Sequence, residues 1–468
     1  MNIKKLFLLG VLFVFVLGGA AIAYKLYRRP VAKSRDLRIA ERTLYTPGNT
    51  GARAPATFPV TLYPAEDWPR WRGPRGDGIS KETNLADKWP ADGPPRLWAA
   101  EVGLGYSSPV AVNGRVYLFS TAGGKDTLTC FDAATGKILW NVTDEVPAFT
   151  RAYEGTRATP TIENNRIYSL GGTGELTCRD LANGAPQWRV NILKDKGSNP
   201  LRWGTASSPL IVGNLVYVQG GETGPVAYAV DKNSGSIAWK SEHEGLAGYA
   251  ALTHVDVSGT PQLVCFAGDA LVGMNPATGK TLWKEAWPTQ YGVNGSTPIY
   301  RDGDLFVSSA YDKGCMMLRL TPQGATKLWE NRNIDSRFQG MILEGNVLYA
   351  NSEGDVKCMS WPDGKILWQS REPNLNNGGS IVRLPDNKMI LMSERGELSL
   401  ATATPEKMEV ITSAKVFDVG SDVWTTPLVY GGRLYAKGGP EFVCFDVSAS
   451  GVNSTSQPAS APTAAASN

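Results

Sequence analysis

Histidine is almost missing from this chain: its 468 residues include only two, His243 and His254. That scarcity argues against a histidine-dependent catalytic triad and against a His-rich metal centre. Six cysteines occur without a CxxC spacing and without an adjacent pair, so no paired-thiol motif is encoded. A strong excess of one charge is also lacking. The formal net charge is only +3, and no basic run interrupts the body of the chain, so nucleic acid is not an expected partner. Neither a catalytic residue nor a metal-binding cluster emerges from the residue pattern.

What the chain has instead is tryptophan at a fixed period. Trp98, Trp140, Trp188, Trp239, Trp283, Trp329 and Trp368 each close a short strand, at spacings of 42, 48, 51, 44, 46 and 39 residues. That is the length of a four-stranded propeller blade. Units of this kind bury their apolar faces only against their neighbours, so a ring is the expected solution. The clearest copy runs from Ser107 to Trp140. In it, Asn113-Gly114 marks a tight hairpin turn that needs positive φ at both residues, and Asp132 with Thr135-Gly136 marks another. Thr159-Pro160, Ser208-Pro209, Thr297-Pro298 and Thr426-Pro427 open equivalent inner strands, where proline sits at a strand start and removes no ladder donor. Weaker openings at Tyr249, Phe338 and Gly378 bring the count to eight, and a degenerate outer strand near Met408-Glu409-Val410 completes the outer set.

The ends agree with this. Pro95-Arg96-Leu97-Trp98 is an outer strand without a blade, and Thr426 to Asp446 is a blade lacking its outer strand. Pairing them closes the circle and removes exposed edges. The expected fold is all-β: an eight-bladed β-propeller of four-stranded antiparallel blades over residues 67–447. Cys130, Cys178, Cys358 and Cys444 share one site in the third strand of separate blades, too far apart for disulfides, and are expected as buried thiols.

Outside the repeats, an apolar run from Leu6 to Tyr24 follows Lys4-Lys5 and is long enough to cross a bilayer. Residues 1–27 are therefore expected to be a membrane anchor, or alternatively a signal segment cleaved after Ala21-Ile22-Ala23. No cysteine nearby can carry a lipid. Lys25, Arg28, Arg29, Lys33, Arg35 and Arg38 follow the span, and by charge alone would keep the repeats in the cytoplasm. Residues 28–66 read as a flexible linker and 448–468 as a disordered Ser/Ala/Pro tail.

The segments Asp132-Ala133-Ala134-Thr135-Gly136-Lys137-Ile138-Leu139-Trp140 and Asn275-Pro276-Ala277-Thr278-Gly279-Lys280-Thr281-Leu282-Trp283 resemble the tryptophan-docking repeat of pyrroloquinoline-quinone (PQQ) propellers. Asp67-Trp68-Pro69-Arg70-Trp71-Arg72-Gly73-Pro74 is similar to a lead-in found in PQQ-like propellers of planctomycete-type bacteria. The resemblance implies that each tryptophan packs on the neighbouring blade. It also implies a place outside the inner membrane, against the charge pattern, so a single-pass inner-membrane protein with a periplasmic propeller is expected, or a secreted periplasmic one after cleavage.

Two functions share the fold: non-catalytic propellers similar to the B subunit of the outer-membrane assembly machine, and dehydrogenases using PQQ beside calcium. The dehydrogenases require a calcium site built from Glu and Asn, an Asp base and, in many, a disulfide of adjacent cysteines. This chain has no adjacent cysteines and no long insertions between strands. The expectation is a protein- or peptide-binding scaffold of the cell envelope without a cofactor; the alternative is a PQQ-dependent alcohol or sugar dehydrogenase. The segments leading into the inner strands place Tyr106, Arg157, Trp203, Tyr249, Asn294, Arg337, Phe338, Asn377 and Trp424 at one mouth of the channel, as candidate binding residues. Arg70, Trp71 and Arg72 are expected to cap the ring near its closing blade.

Overall fold

The computed structural model describes residues 66–418 and 422–451. The apolar N-terminal run, nearly all of the linker and most of the tail lie outside the described residues. Among the described residues no helix is long and apolar enough to cross a membrane.

Among the described residues, thirty-two strands form eight four-stranded antiparallel sheets arranged as blades. Blades 1 to 7 span residues 110–147, 161–191, 210–240, 253–286, 299–331, 342–370 and 380–415. Blade 8 combines Leu428–Tyr430, Arg433–Gly438 and Glu441–Asp446 with Arg96–Glu101, which pairs antiparallel to Glu441–Asp446 as its outer strand. The two ends of the repeat array are thus locked in one sheet, and the ring has no open edge at the junction.

Each blade repeats one cross-strand arrangement. In blade 1 Tyr117 pairs with Cys130, which pairs with Trp140; blades 2, 6 and 8 repeat it as Tyr168–Cys178–Trp188, Tyr349–Cys358–Trp368 and Tyr435–Cys444–Trp98. All six cysteines are buried free thiols. The small sulfur leaves room for the tyrosine and indole rings to meet across it, at 5.8–6.0 Å in blades 1, 2, 6 and 8. Beside every tryptophan pair the outer strand carries a bulge that skips one residue. Leu139, Leu328 and Leu367, skipped in this way, are exposed, while the tryptophans that follow them are half-buried. In blade 7 the same bulge skips Ile411 and puts Thr412 opposite Leu400, in the tryptophan's place.

The indoles reach the next blade through its glycine turn. A Cβ on Gly136, Gly184, Gly235, Gly279 or Gly364 would sit 2.5–2.9 Å from the ring of Trp98, Trp140, Trp188, Trp239 or Trp329 respectively. The indole nitrogens of Trp98, Trp188, Trp239, Trp329 and Trp368 donate to carbonyls of the following blade: Ala133, Lys232, Pro276, Pro362 and Thr404. Trp283 departs from this pattern. Its Nε1 donates to Gln262 Oε1 at 2.8 Å in its own blade, and Gln262 Nε2 in turn donates to Thr321 O at 2.8 Å in blade 5. The turn of blade 5 runs Thr321-Pro322-Gln323-Gly324, and the glutamine bridges the gap the indole does not.

Residues 67–86 do more than cap the closing blade. Trp68 forms a bridge with Ala111 of blade 1, and Pro69 O accepts from Ile162 of blade 2. Trp71 Nε1 donates to Thr297 of blade 5, Arg72 to Met341 O beside blade 6, and Ser80 pairs with Arg383 of blade 7. Both Glu82 carboxylate oxygens accept backbone N–H groups from the Gly431-Gly432 turn of blade 8. The segment crosses the channel and plugs it at the end where the inner strands turn back. Past residue 447 the paired chain continues, with Ser448 bridging Leu85 and Ala449 donating to Asn84 O.

Candidate functional site

With one end plugged, the channel becomes a cup open at the other end, where the chain enters each inner strand. The cup has a volume of about 230 Å³, and Trp71 of the plug forms its floor. Seven of the nine residues expected at this mouth line it: Tyr106, Arg157, Trp203, Tyr249, Arg337, Phe338 and Trp424. Two do not. Asn294 is wholly buried: its side-chain amide donates to Ala267 O at 2.6 Å and its carbonyl accepts from Ser309 at 2.7 Å, while its backbone carbonyl holds Tyr249 and Ala250. It is a strut beneath the mouth. Asn377 is half-buried between blades 6 and 7 and lies off the lining.

The lining also includes Tyr153, Tyr311 and Gln339, which sequence reasoning did not single out. Tyr153 lies in the same loop as Arg157, four residues earlier. Tyr311 comes from the turn between the second and third strands of blade 5, a turn that opens onto the same mouth as the inner-strand entries. Only the alternation of strand direction could have pointed to it.

The aromatic rings form two groups. Around Trp424 stand Tyr106, Tyr153 and Phe338, with centroids at 4.8, 5.0 and 5.1 Å. Around Trp203 stand Tyr249 and Tyr291, both at 6.0 Å, and Tyr291 in turn meets Tyr311 at 5.9 Å. Contacts of this length are favourable edge and tilted arrangements that keep each ring in place.

The charged lining is cationic only. The Arg157 guanidinium lies 4.6 Å from the Phe149 ring centroid and donates to the carbonyls of Gly155, Ala152 and Tyr153. Burial pushes it down to about 10, with neighbouring Tyr106 working the other way, so it stays charged at neutral pH. Arg337 lies 5.0 Å from the Tyr311 ring centroid, and its Nε is buried without a hydrogen-bond partner. Burial pushes the Tyr249 phenol up to about 12 and raises Tyr106 as well, so both are neutral donors. Among the described residues no Asp, Glu, His, Lys or Cys lines the cup. The neighbouring Glu394 carboxylate is engaged by Trp424 Nε1 and by the Gly378 amide. Among the described residues no cluster of three His, Cys, Asp or Glu side chains is arranged to hold a metal ion.

A PQQ-type family model described as outer membrane protein assembly factor BamB matches residues 90–189 and 145–370. The chain belongs to that family. Outer membrane protein assembly factor BamB of Salmonella typhimurium is 23% identical over 365 residues, which cover 66% of this chain and 89% of that protein. The crystal structure of BamB from Moraxella catarrhalis superposes with a TM-score of 0.54 at 16% identity, covering 75% of this chain and 97% of that one. Quinohemoprotein alcohol dehydrogenase from Comamonas testosteroni superposes with a TM-score of 0.62 at 13% identity, covering 82% and 80%. At these identities the two structures share the fold with this chain, and the fold alone.

Proposed function

We propose that the protein is a non-catalytic β-propeller that binds a protein or peptide partner in the cell envelope, in the service of protein assembly there. The observation that carries this reading is the composition of the cup: among the described residues, the eighteen that line it supply aromatic surface and two guanidinium groups but no carboxylate, imidazole or lysine amine. Such a lining binds and orients, whereas proton abstraction needs an acceptor within hydrogen-bond reach. Membership of the BamB family and the likeness to a Salmonella typhimurium protein named as an outer membrane assembly factor support the envelope setting. On this reading residues 1–27 anchor the chain in the inner membrane, residues 28–66 tether it, and the propeller of residues 67–447 works in the periplasm. Secretion after cleavage gives the same compartment.

The alternative, a PQQ-dependent dehydrogenase, draws on the fold shared with quinohemoprotein alcohol dehydrogenase and on the flat aromatic walls of the cup. Calcium takes six to eight oxygen ligands, characteristically including carboxylates. The lining offers neither carboxylate nor asparagine side chains, so its donor set does not fit a calcium–quinone pair.

Site-specific photocrosslinking in intact cells tests the main reading. A photoreactive residue at Tyr291, on the rim, is expected to give discrete adducts with envelope proteins, and one at Leu328, on the outer circumference, is expected to give fewer. Equal or absent labelling at the rim contradicts a binding role for the mouth. A phosphatase fusion after residue 447 that is inactive outside the cytoplasm contradicts the compartment.

A further inference from the structure

The mouth loops hold an unusual backbone pattern. Tyr153, Tyr291 and Tyr311 all have positive φ, at 59°, 62° and 64°. That region is costly for a bulky side chain, and such residues cluster where a binding site needs a group held in one place. All three rings belong to the cup or its rim, and two of them, Tyr153 and Tyr291, are 47% and 53% exposed. Aromatic faces are thus set toward solvent by loops that glycine would form more easily.

The cations differ in what they have left to give. Arg157 is committed to three carbonyls of its own loop and acts as a strut. Arg337 has a buried Nε without a partner and faces a cavity in which none of the described residues places a carboxylate. Arg202 adds an exposed guanidinium at the rim, 5.0 and 5.3 Å from the Trp203 and Tyr291 ring centroids. A guanidinium in a partly enclosed aromatic site lacks only an anion, and a carboxylate matches its planar donors best. The volume of about 230 Å³ is below the range of pockets for drug-sized ligands, so the cup holds a side chain or two and not a folded surface.

We propose that the cup receives an aromatic side chain of a peptide that carries a carboxylate beside it, with the ring among the Trp203 and Trp424 walls and the carboxylate on Arg337. The flanking peptide lies across Tyr153 and Tyr291. The carboxylate comes either from a neighbouring Asp or Glu or from the end of the chain. The inference rests on the reading of this protein as a binding scaffold and specifies what the scaffold recognises.

The test is a calorimetric titration of the purified full-length chain with short probe peptides. One set is blocked at both ends and contains Asp-Phe, Asn-Phe or Asp-Leu; another ends in a free C-terminal Phe or its amide. Asp-Phe is expected to bind about tenfold or more tightly than Asn-Phe, from a charge-assisted contact, and about fivefold more tightly than Asp-Leu. Arg337→Gln is expected to erase the Asp-over-Asn preference while leaving the Phe-over-Leu preference. A free C-terminal Phe that outbinds both its amide and the internal Asp-Phe assigns the carboxylate to the chain end; the reverse order assigns it to a side chain. Equal binding of Asp and Asn peptides together with equal binding of the free C-terminal Phe and its amide, equal binding of Phe and Leu peptides, or binding by none of them overturns the proposal. Because these comparisons use the unaltered protein, they stand even if a variant misfolds. Failure here with rim crosslinks retained overturns the ligand class and leaves the scaffold reading in place; loss of both removes both.

Discussion

Removing Trp98 tests the physical basis of ring closure. Its indole, on the N-terminal strand of blade 8, stacks 5.9 Å from Phe131 of blade 1 and meets Tyr435 and Phe442 at 5.8 and 5.6 Å. Truncating a packed aromatic costs about 3–5 kcal/mol, and a half-buried ring belongs at the lower end. The Nε1 bond to Ala133 O adds about 1 kcal/mol at most. That carbonyl still accepts from Tyr435 Oη and Arg433 after the change, so no buried acceptor is orphaned. Trp98→Ala is therefore expected to destabilise the propeller by about 3–4 kcal/mol, which for a domain of this size lowers Tm by roughly 4 °C. Urea unfolding followed by tryptophan fluorescence measures it, and Trp98→Phe, which keeps most of the ring, is expected to lose about half as much. A loss below about 1 kcal/mol for Trp98→Ala would refute the reasoning, because it would mean that the cross-blade aromatic packing contributes little to closure.

Other consequences are equally specific. Trp283→Ala is expected to cost more than Trp98→Ala, by about 1–3 kcal/mol, because it leaves Gln262 Oε1 buried without its donor; Gln262→Leu, which breaks the link to Thr321, separates the two contributions in the same unfolding assay. Gly235→Ala puts a methyl 2.7 Å from the Trp188 ring at φ 77°, whereas Gly213→Ala meets nothing at φ 61°. The first is expected to destabilise by about 2–4 kcal/mol and the second by about 1–2 kcal/mol, a difference read directly from paired urea midpoints. Burial pushes Asp126 up to about 6, against its bond from Thr121. A carboxyl whose folded value is raised binds its proton more tightly in the folded state. Its contribution is full below about pH 4 and is lost as pH rises to about 6, for a total near 3 kcal/mol. Asp126→Asn should remove that slope from the stability profile. Glu82→Ala strips the acceptors from the Gly431 and Gly432 amides, so limited proteolysis should cut within residues 66–82 before it reaches the blades, at a stability cost of about 2–4 kcal/mol.

The ring was legible because each blade solves the same burial problem locally, so the solution recurs in sequence at Trp98 through Trp368. The closure of blade 8 was legible for the same reason, as one outer strand too many at the start and one too few at the end. What period analysis could not reach were the features that join distant blades. Trp71 meets Thr297 and Arg72 meets Met341 O across the channel, and nothing in residues 67–86 names those partners. Asn294 illustrates the opposite error. A polar residue just ahead of an inner strand reads as facing the mouth, but the loop turns it inward to bind Ala267 and Ser309. Tyr153, Tyr291 and Tyr311 stood in loops without a repeat position, and their strained backbone exists only in three dimensions.

The central claim is that the cup binds without doing chemistry. The measurement that bears on it most directly is a titration of the full-length chain with PQQ, with and without calcium, read by tryptophan quenching beside dye reduction with alcohols and sugars. No calcium-dependent quenching and no dye reduction are expected, because the described lining offers no carboxylate to hold the ion or to act as base toward the substrate. Calcium-dependent quenching accompanied by dye reduction would contradict it and make this propeller a dehydrogenase.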